Sequence, residues 1–303
     1  MINKNDRKEY LKETLEFINK YPNDVWSKIF EFEEYLKKYF WTNYASACSS
    51  WSAWLILALK ALWIENGDEV MVNCNYFISD PNSIIILWAK PIFIDLWETI
   101  NSLSINDIKS KTTNKTKAII IIHLYGYPII NTLEIIKYCK EKNIIVIEDC
   151  CQSIWAKIWK KYVWTFWDIW VFSFDTNKMV KWWEWWMIIS DNENIIEKTR
   201  LYKNNCKQNW KYINLWYNFR YNDFSAIYAK YSLKNLNNAI NKNIEKKYEL
   251  ENIYNWWENI YPTYYRFIVT KENTSNYVNK DFYNLNIENY KNYKKHLLNY
   301  EII

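Results

Sequence analysis

From residue 69 to residue 149 the chain alternates short apolar runs with segments that read as helix. Residues 69–73, 90–95, 118–123 and 144–149 are short blocks rich in Val, Ile, Met or Phe, the pattern of strands covered on both faces. Residues 131–142 read as a helix between the last two of these strands. Upstream, residues 1–40 read as mostly helical and polar, with an amphipathic piece over 27–40. Residues 52–62 form a further helix, apolar on most faces and therefore expected to be buried. Downstream, 167–174 and 187–190 read as strands, 223–254 as a long helical stretch and 264–269 as a last strand. Strands alternating with helices imply an α/β fold built on a mostly parallel sheet. No internal repeat and no Pro/Gly/Ser-rich linker divides the chain; its length suits one large domain with a smaller companion, and a boundary is expected near residue 245.

Charge and composition remove several classes of function. The net charge of +5, from 39 basic and 34 acidic residues, is spread along 303 residues and offers no dedicated nucleic-acid patch, though it suits anionic substrates. No apolar run approaches the roughly 18 residues that a membrane-spanning helix needs. The opening MINKNDRKEY is too charged for a secretory signal. Six Cys without CxxC spacing and two His give no metal-binding pattern, and reduced thiols in a cytoplasm are expected.

One compositional feature changes the picture. The chain has two Gly and twenty Trp, where an ordinary protein of this length would carry about 21 Gly. The Trp stand where indoles do not belong: Trp182, Trp183, Trp185 and Trp186 surround Glu184, and Trp155, Trp159, Trp164, Trp167 and Trp170 punctuate a stretch that reads as hairpin and turn. Trp63 follows a buried helix at the place where a glycine usually ends it. Lys, Asn, Ile and Tyr are abundant, as in an A/T-rich gene. The expectation is that UGA codons encode glycine in the source and stand here as Trp. Read literally, four indoles would overfill the region beside Glu184 and Trp51 would add a bulky side chain where backbone should approach a ligand, so the chain would misfold or lose any cofactor.

Three groups invite chemistry. Asp149 ends the apolar run IIVIE, where ligands of a parallel sheet bind, yet a lone Asp there also serves as a helix cap or turn. Lys178 follows the strand-like WVFSF, although a lone Lys is ordinarily a solvated charge. Ser50, Trp51 and Ser52 precede the buried helix, whose free N–H groups suit a phosphate, while Ser is equally a common N-cap. A strand-end acid, a lysine after a later strand and an anion-binding helix start are the parts that a pyridoxal phosphate enzyme requires.

The chain resembles the DegT/DnrJ/EryC1/StrS family of pyridoxal phosphate-dependent sugar aminotransferases from about residue 27 to 270. The resemblance rests on CSSWSAWL (48–55), NGDEV (66–70), AKPIFIDL (89–96), HLYGYP (123–128), IEDCCQS (147–153), WTFWDIWVFSFDTNK (164–178), WWEWWM (182–187), LWYNFR (215–220) and YYRF (264–267). Reading Trp as Gly sharpens many of these strings. The resemblance implies a type I aminotransferase fold, with a large cofactor domain over 1–245 and a small, shortened C-terminal α+β domain over 246–303.

Carried over by position, the resemblance implies that Lys178 is the Schiff-base lysine and proton carrier. Asp149 would pair with the pyridine nitrogen, and Gln152 with the phenolic oxygen. Ser173, Ser52 and the Ala53 N–H would hold the phosphate, Phe77 would stack on the ring, and Asn218 would reach the phosphate of a neighbouring subunit in a homodimer. His123 and Arg220 lie in family motifs without a role. Lysine at 178 places the chain with the aminotransferases, since dehydratase relatives carry His there. The implied reaction moves an amino group from L-glutamate, or glutamine, to a keto group of a nucleotide-linked sugar for surface glycans. Shortening after Tyr265, Ser52 where Thr is usual, and Cys150 and Cys151 in place of small residues depart from the pattern. Two alternatives stand beside this reading: an inactive or regulatory member of the same fold, and a Trp-rich carbohydrate-binding protein.

Overall fold

The computed structural model describes residues 3–21, 26–97, 99–166, 169–173, 186–214 and 216–249, with three short strand segments at 260–261, 268–270 and 300–302. In chain order the helices are α1 (Lys4–Lys20), α2 (Ser27–Phe40), α3 (Trp51–Ala61), α4 (Ser79–Ile86), α5 (Ile105–Lys111), α6 (Thr132–Glu141), α7 (Glu193–Lys203), α8 (Asp223–Lys234) and α9 (Leu236–Glu249). The strands are β1 (Tyr44–Cys48), β2 (Glu69–Asn73), β3 (Lys90–Ile94), β4 (Thr116–Ile122), β5 (Ile145–Asp149), β6 (Lys157–Ile158), β7 (Lys161–Tyr162), β8 (Ile169–Ser173), β9 (Trp186–Ser190), β10 (Lys207–Gln208), β11 (Lys211–Tyr212), β12 (Ile260–Tyr261), β13 (Ile268–Thr270) and β14 (Tyr300–Ile302). The chain divides into two compact units, one from 1–63 with 168–240, the other from 64–167 with 241–303.

In the second unit four strands run parallel in the order β5-β4-β2-β3. Their side chains are Val, Ile and Met because helices cover the sheet: Met71, Ile119, Ile121 and Val146 pack with Ile135 and Cys139 of α6 and with Ile108 of α5. Burying a residue such as Ile contributes roughly 1.5–3 kcal/mol, so this stripe dominates the unit's stability. α4 and α6 are the crossovers β2-α4-β3 and β4-α6-β5, the connections that parallel neighbours require. β6 and β7 form a hairpin that β12 extends.

The first unit holds an antiparallel β1-β9-β8. The α2 N-terminus is capped from a distance: the Asp223 carboxylate accepts the N–H groups of Trp26, Lys28 and Ile29 at 2.8, 2.9 and 3.1 Å, satisfying donors that a helix start leaves open. Glu33, 1% exposed, accepts from Arg200 Nη2 at 3.0 Å, Lys203 Nζ at 2.9 Å and the Ala47 N–H at 2.9 Å. A carboxylate this deep is held by such partners, and losing either cation would leave a charge in low dielectric.

Most expected elements appear within a residue or two. The stretch expected as one helix over 223–254 is two helices that meet at Asn235, whose N–H bonds Ser232 O at 3.1 Å. Of the strand expected over 264–269, residues 264–267 lie outside the described residues. β1, α4, α5 and α7 were not anticipated. β1 is YASAC, whose small residues give no β signal, and α5 is only seven residues long. Much of the C-terminal domain expected over 246–303 lies outside the described residues.

Seven of the fourteen described tryptophans adopt positive φ: Trp26, Trp41, Trp63, Trp88, Trp155, Trp159 and Trp210, from 50° to 69°. Both glycines, Gly67 and Gly126, do so as well, at 88°. Trp41, Trp63 and Trp88 close α2, α3 and α4. Trp159–Lys160 and Asn209–Trp210 are the two-residue loops of the β6–β7 and β10–β11 hairpins, with both central φ angles positive as a type I′ turn demands. The buried indoles fare no better, since Trp54 and Trp186 bury their Nε1 donors without an acceptor among the described residues.

Candidate active site

β5 delivers Asp149 to the carboxyl end of the parallel strands, paired in register with Ile122 of β4. The residue is 2% exposed; its Oδ1 accepts the Cys151 N–H at 2.8 Å, and its carbonyl accepts the His123 N–H at 3.0 Å. Gln152 follows three residues later, and its Oε1 accepts the Tyr125 N–H at 2.8 Å. That bond engages the amide oxygen and leaves the Nε2 hydrogens as the donors to present. Asp149 thus ends β5, and Gln152 lies in the turn that follows it.

Further residues of this unit build the surroundings, and of these Asn73 and Glu148 were given no role in the sequence. Asn73, at the end of β2, spans to β4 by donating to Ile122 O at 2.9 Å and accepting from its N–H at 3.3 Å. Glu148 is fully buried beside His123 Nε2 at 3.2 Å, while His123 Nδ1 accepts the Ile129 N–H at 3.0 Å. Burial pushes the His123 pKa down to about 3, so the ring is neutral throughout the physiological range. Burial, reinforced by Glu148 and Asp149, likewise raises the Cys150 thiol and keeps it protonated. Phe77 is half-buried in the turn that enters α4, its N–H bonded to Asp80 Oδ2 at 3.1 Å.

The first unit carries the other expected contacts. Ser173 ends β8 opposite Trp186, is 5% exposed, and its Oγ has no hydrogen-bond partner among the described residues. A buried hydroxyl in that state is suited to an added acceptor such as a phosphate oxygen. At the start of α3 the side chain of Ser50, rather than Ser52, is the N-cap, accepting the Ala53 N–H at 3.2 Å. An anion taking the Ala53 N–H would have to displace that hydroxyl. Ser52 is exposed. Asn218 is exposed, and its Oδ1 accepts the Arg220 N–H at 3.1 Å. Arg220 in turn donates to Asn204 Oδ1 at 2.7 Å, a structural tie in a motif left without a role. Lys178, and with it Glu184 and three of its flanking indoles, lies outside the described residues.

Each unit by itself holds groups that suit part of a pyridoxal phosphate: the second a buried carboxylate for a ring nitrogen and an amide with Nε2 donors for a phenolic oxygen, the first a buried hydroxyl for a phosphate. All six cysteines are buried and none is in a disulfide. Among the described residues no group of three or more His, Cys, Asp or Glu is arranged to hold a metal, and no helix is long and apolar enough to cross a membrane. Among the described residues the exposed tryptophans Trp26, Trp41, Trp63, Trp88, Trp159 and Trp210 sit at helix ends and hairpin tips, and Trp97 lies in the loop after β3.

Residues 4–256 match the model of the DegT/DnrJ/EryC1/StrS aminotransferase family. The chain is 33% identical over 248 residues to the GDP-perosamine synthase of Escherichia coli O157:H7, covering 79% of this chain and 66% of that one. It is 32% identical over 229 residues to the GDP-perosamine synthase of Vibrio cholerae, covering 74% and 59%. This chain thus spans about three-fifths to two-thirds of the length of these relatives. In fold it is similar to NtdA from Bacillus subtilis, solved with bound PMP, with a TM-score of 0.79 at 19% identity over 100% of this chain and 78% of that one.

Proposed function

The chain belongs to the DegT/DnrJ/EryC1/StrS aminotransferase family, and from that premise we propose that it is a pyridoxal phosphate-dependent transaminase acting on a nucleotide-linked keto sugar. The observation that carries the reading is the end of β5, where Asp149 is buried and Gln152 has its amide oriented by the Tyr125 N–H. When bound, pyridoxal phosphate supplies an electron sink that stabilises negative charge beside the transferred nitrogen.

The chain's own residues do the rest. Asp149 holds a proton on the ring nitrogen, and its burial strengthens that charge pairing. Gln152 donates to the phenolic oxygen. Ser173, with Ser52 and the Ala53 N–H at the α3 N-terminus, binds the phosphate, where the helix dipole favours an anion. Phe77 would lie against the ring, and Lys178 would anchor the cofactor and carry a proton at its Nζ. Asn218 extends to the phosphate in a second copy of the chain, in a homodimer with shared sites.

L-glutamate, or glutamine, serves as amino donor. The keto sugar is carried by a nucleoside diphosphate, as the names of the relatives indicate for those proteins, and the product enters a surface glycan made in the cytoplasm. The cofactor domain comprises residues 1–245 and the small domain 246–303. The test is to incubate the chain with pyridoxal phosphate, L-glutamate and a panel of GDP- and UDP-linked keto sugars. Formation of 2-oxoglutarate together with an aminated sugar nucleotide supports the reading. A folded, cofactor-loaded protein that aminates none of them, and yields no 2-oxoglutarate, would leave the inactive relative in its place.

A further inference from the structure

His123 has so far no task. It is fully buried just past β4, and its two ring nitrogens are committed in opposite directions, Nδ1 to the Ile129 N–H at 3.0 Å and Nε2 to Glu148 Oε1 at 3.2 Å. Because Nδ1 accepts, the single proton of the neutral ring is on Nε2 and is donated to Glu148. The ring, at the start of the loop 123–129, therefore ties that loop's last residue to Glu148 of β5. Its far end is held again by Thr132 Oγ1, which donates to Ile129 O at 2.6 Å. At the middle of that loop Tyr125 has φ 59°, an unfavourable angle for a tyrosine that must be held from outside. The Tyr125 N–H is the donor to Gln152 Oε1.

We propose that His123 is a positioning residue: by clamping Ile129 to Glu148 it keeps Tyr125 aimed at Gln152 and so decides which end of the Gln152 amide faces the cofactor. An amide released from Tyr125 could turn its oxygen toward the phenolic oxygen, replacing a hydrogen bond by the repulsion of two acceptors. The proposal rests on the pyridoxal phosphate reading above, and it concerns a residue to which that reading gives no role.

Two measurements on the full chain test it. The first needs no cofactor: amide hydrogen exchange at Tyr125 and Ile129. His123→Gln, which can still reach Glu148 but withdraws the acceptor from Ile129, is expected to speed exchange at both by about tenfold or more. His123→Asn, whose Oδ1 can replace Nδ1, is expected to stay near the parent. The second is the pH midpoint of the visible band of the chain loaded with pyridoxal phosphate. His123→Gln should shift it in the same direction as Gln152→Ala, and the double variant should shift no further than Gln152→Ala alone. Unchanged exchange at Tyr125, or shifts that add in full, would overturn the clamp. A chain that folds but binds no pyridoxal phosphate would instead remove the cofactor reading, and the exchange measurement would still decide the clamp.

The backbone carries a second inference independently of the site. Positive φ at seven of fourteen described tryptophans, concentrated at helix ends and type I′ turns, is the distribution expected of glycine. Indole donors buried without acceptors among the described residues at Trp54 and Trp186 are a separate sign of the same kind. We infer that the protein made in its source organism carries glycine at the tryptophan positions, through UGA codons decoded as glycine. Peptide mass spectrometry of the protein isolated from that organism reads this directly. Glycine masses at residues 41, 63, 88, 159 and 210 are the expected result, and tryptophan at these positions would overturn it.

Discussion

The ends of α4 and α6 follow the same path with different residues. After α6, Asn143 sits at φ 56°, its N–H bonds Lys140 O at 3.3 Å, and Ile144 N–H returns to Cys139 O at 2.8 Å. After α4, Trp88 sits at φ 62°, its N–H bonds Ile85 O at 2.9 Å, and Ala89 N–H returns to Ile84 O at 3.2 Å. Both are left-handed helix closures. Asn is among the few side chains that tolerate the conformation, and Trp is not. Two equivalent backbones thus show that the fold asks for a left-handed residue at each place, and only one receives a suitable side chain. The contrast extends along the chain. Residues 98–154 contain no tryptophan, and within them lie Asp149, Gln152 and His123 with their hydrogen bonds. The first unit bears Trp54 and Trp186, each with an indole donor that has no acceptor among the described residues.

The magnitudes make this contrast decisive. At roughly 1–2 kcal/mol for each left-handed L-residue, seven such tryptophans sum to about 7–14 kcal/mol, comparable with the whole stability of a typical domain at about 5–15 kcal/mol. Changing all seven to glycine is therefore expected to raise the unfolding free energy by several kcal/mol, less a few tenths per site for the entropy glycine returns to the unfolded chain. Denaturant unfolding with an unchanged slope would measure it. No gain would mean that the indoles gain compensating contacts, such as Lys198 over Trp63 and Lys207 over Trp210.

The next effect belongs to the tryptophan-free segment. His123 has a folded pKa of about 3 against an ordinary value of 6.5, so between these limits the unfolded chain binds more protons than the folded one. Stability from this group is complete above about pH 6.5 and is lost as pH falls toward 3, by on the order of a few kcal/mol. His123→Asn should flatten that part of the pH–stability curve relative to the parent. Equal acid slopes in the two proteins would contradict a buried neutral ring.

A reciprocal exchange at the two helix ends is smaller and more pointed. Trp88→Gly should stabilise by about 1–2 kcal/mol, and Asn143→Trp should destabilise by about 1 kcal/mol. Equal effects of either sign at both sites would show that the closures are not equivalent. Smallest is Ser50→Ala, which removes the cap on the Ala53 N–H. It should cost about 1 kcal/mol of stability while opening that N–H to an anion, so phosphate should restore more of the loss in this variant than in the parent.

Strands whose sequence is continuous Ile and Val, such as β4 and β5, were legible because burial on both faces leaves little room for other residues. α4 begins SDPN and β1 reads YASAC, and these elements exist through neighbours rather than their own pattern, so they were not. At the site, Asp149 and Gln152 were legible from a motif. Asn73, Glu148 and the clamp at His123 were not, since their roles come from register between strands distant in sequence. Ser50 illustrates the same limit: three small polar residues stand at the start of α3, and only the geometry distinguishes the cap from its neighbours.

The central claim is that this chain works on pyridoxal phosphate through Lys178. The most direct test is the visible absorption of the chain with glycine at its tryptophan positions, purified with pyridoxal phosphate, before and after L-glutamate. The account predicts a band that L-glutamate replaces with one at shorter wavelength, and no covalent band in Lys178→Ala. A folded protein without the band, or one whose band survives in Lys178→Ala, would contradict it.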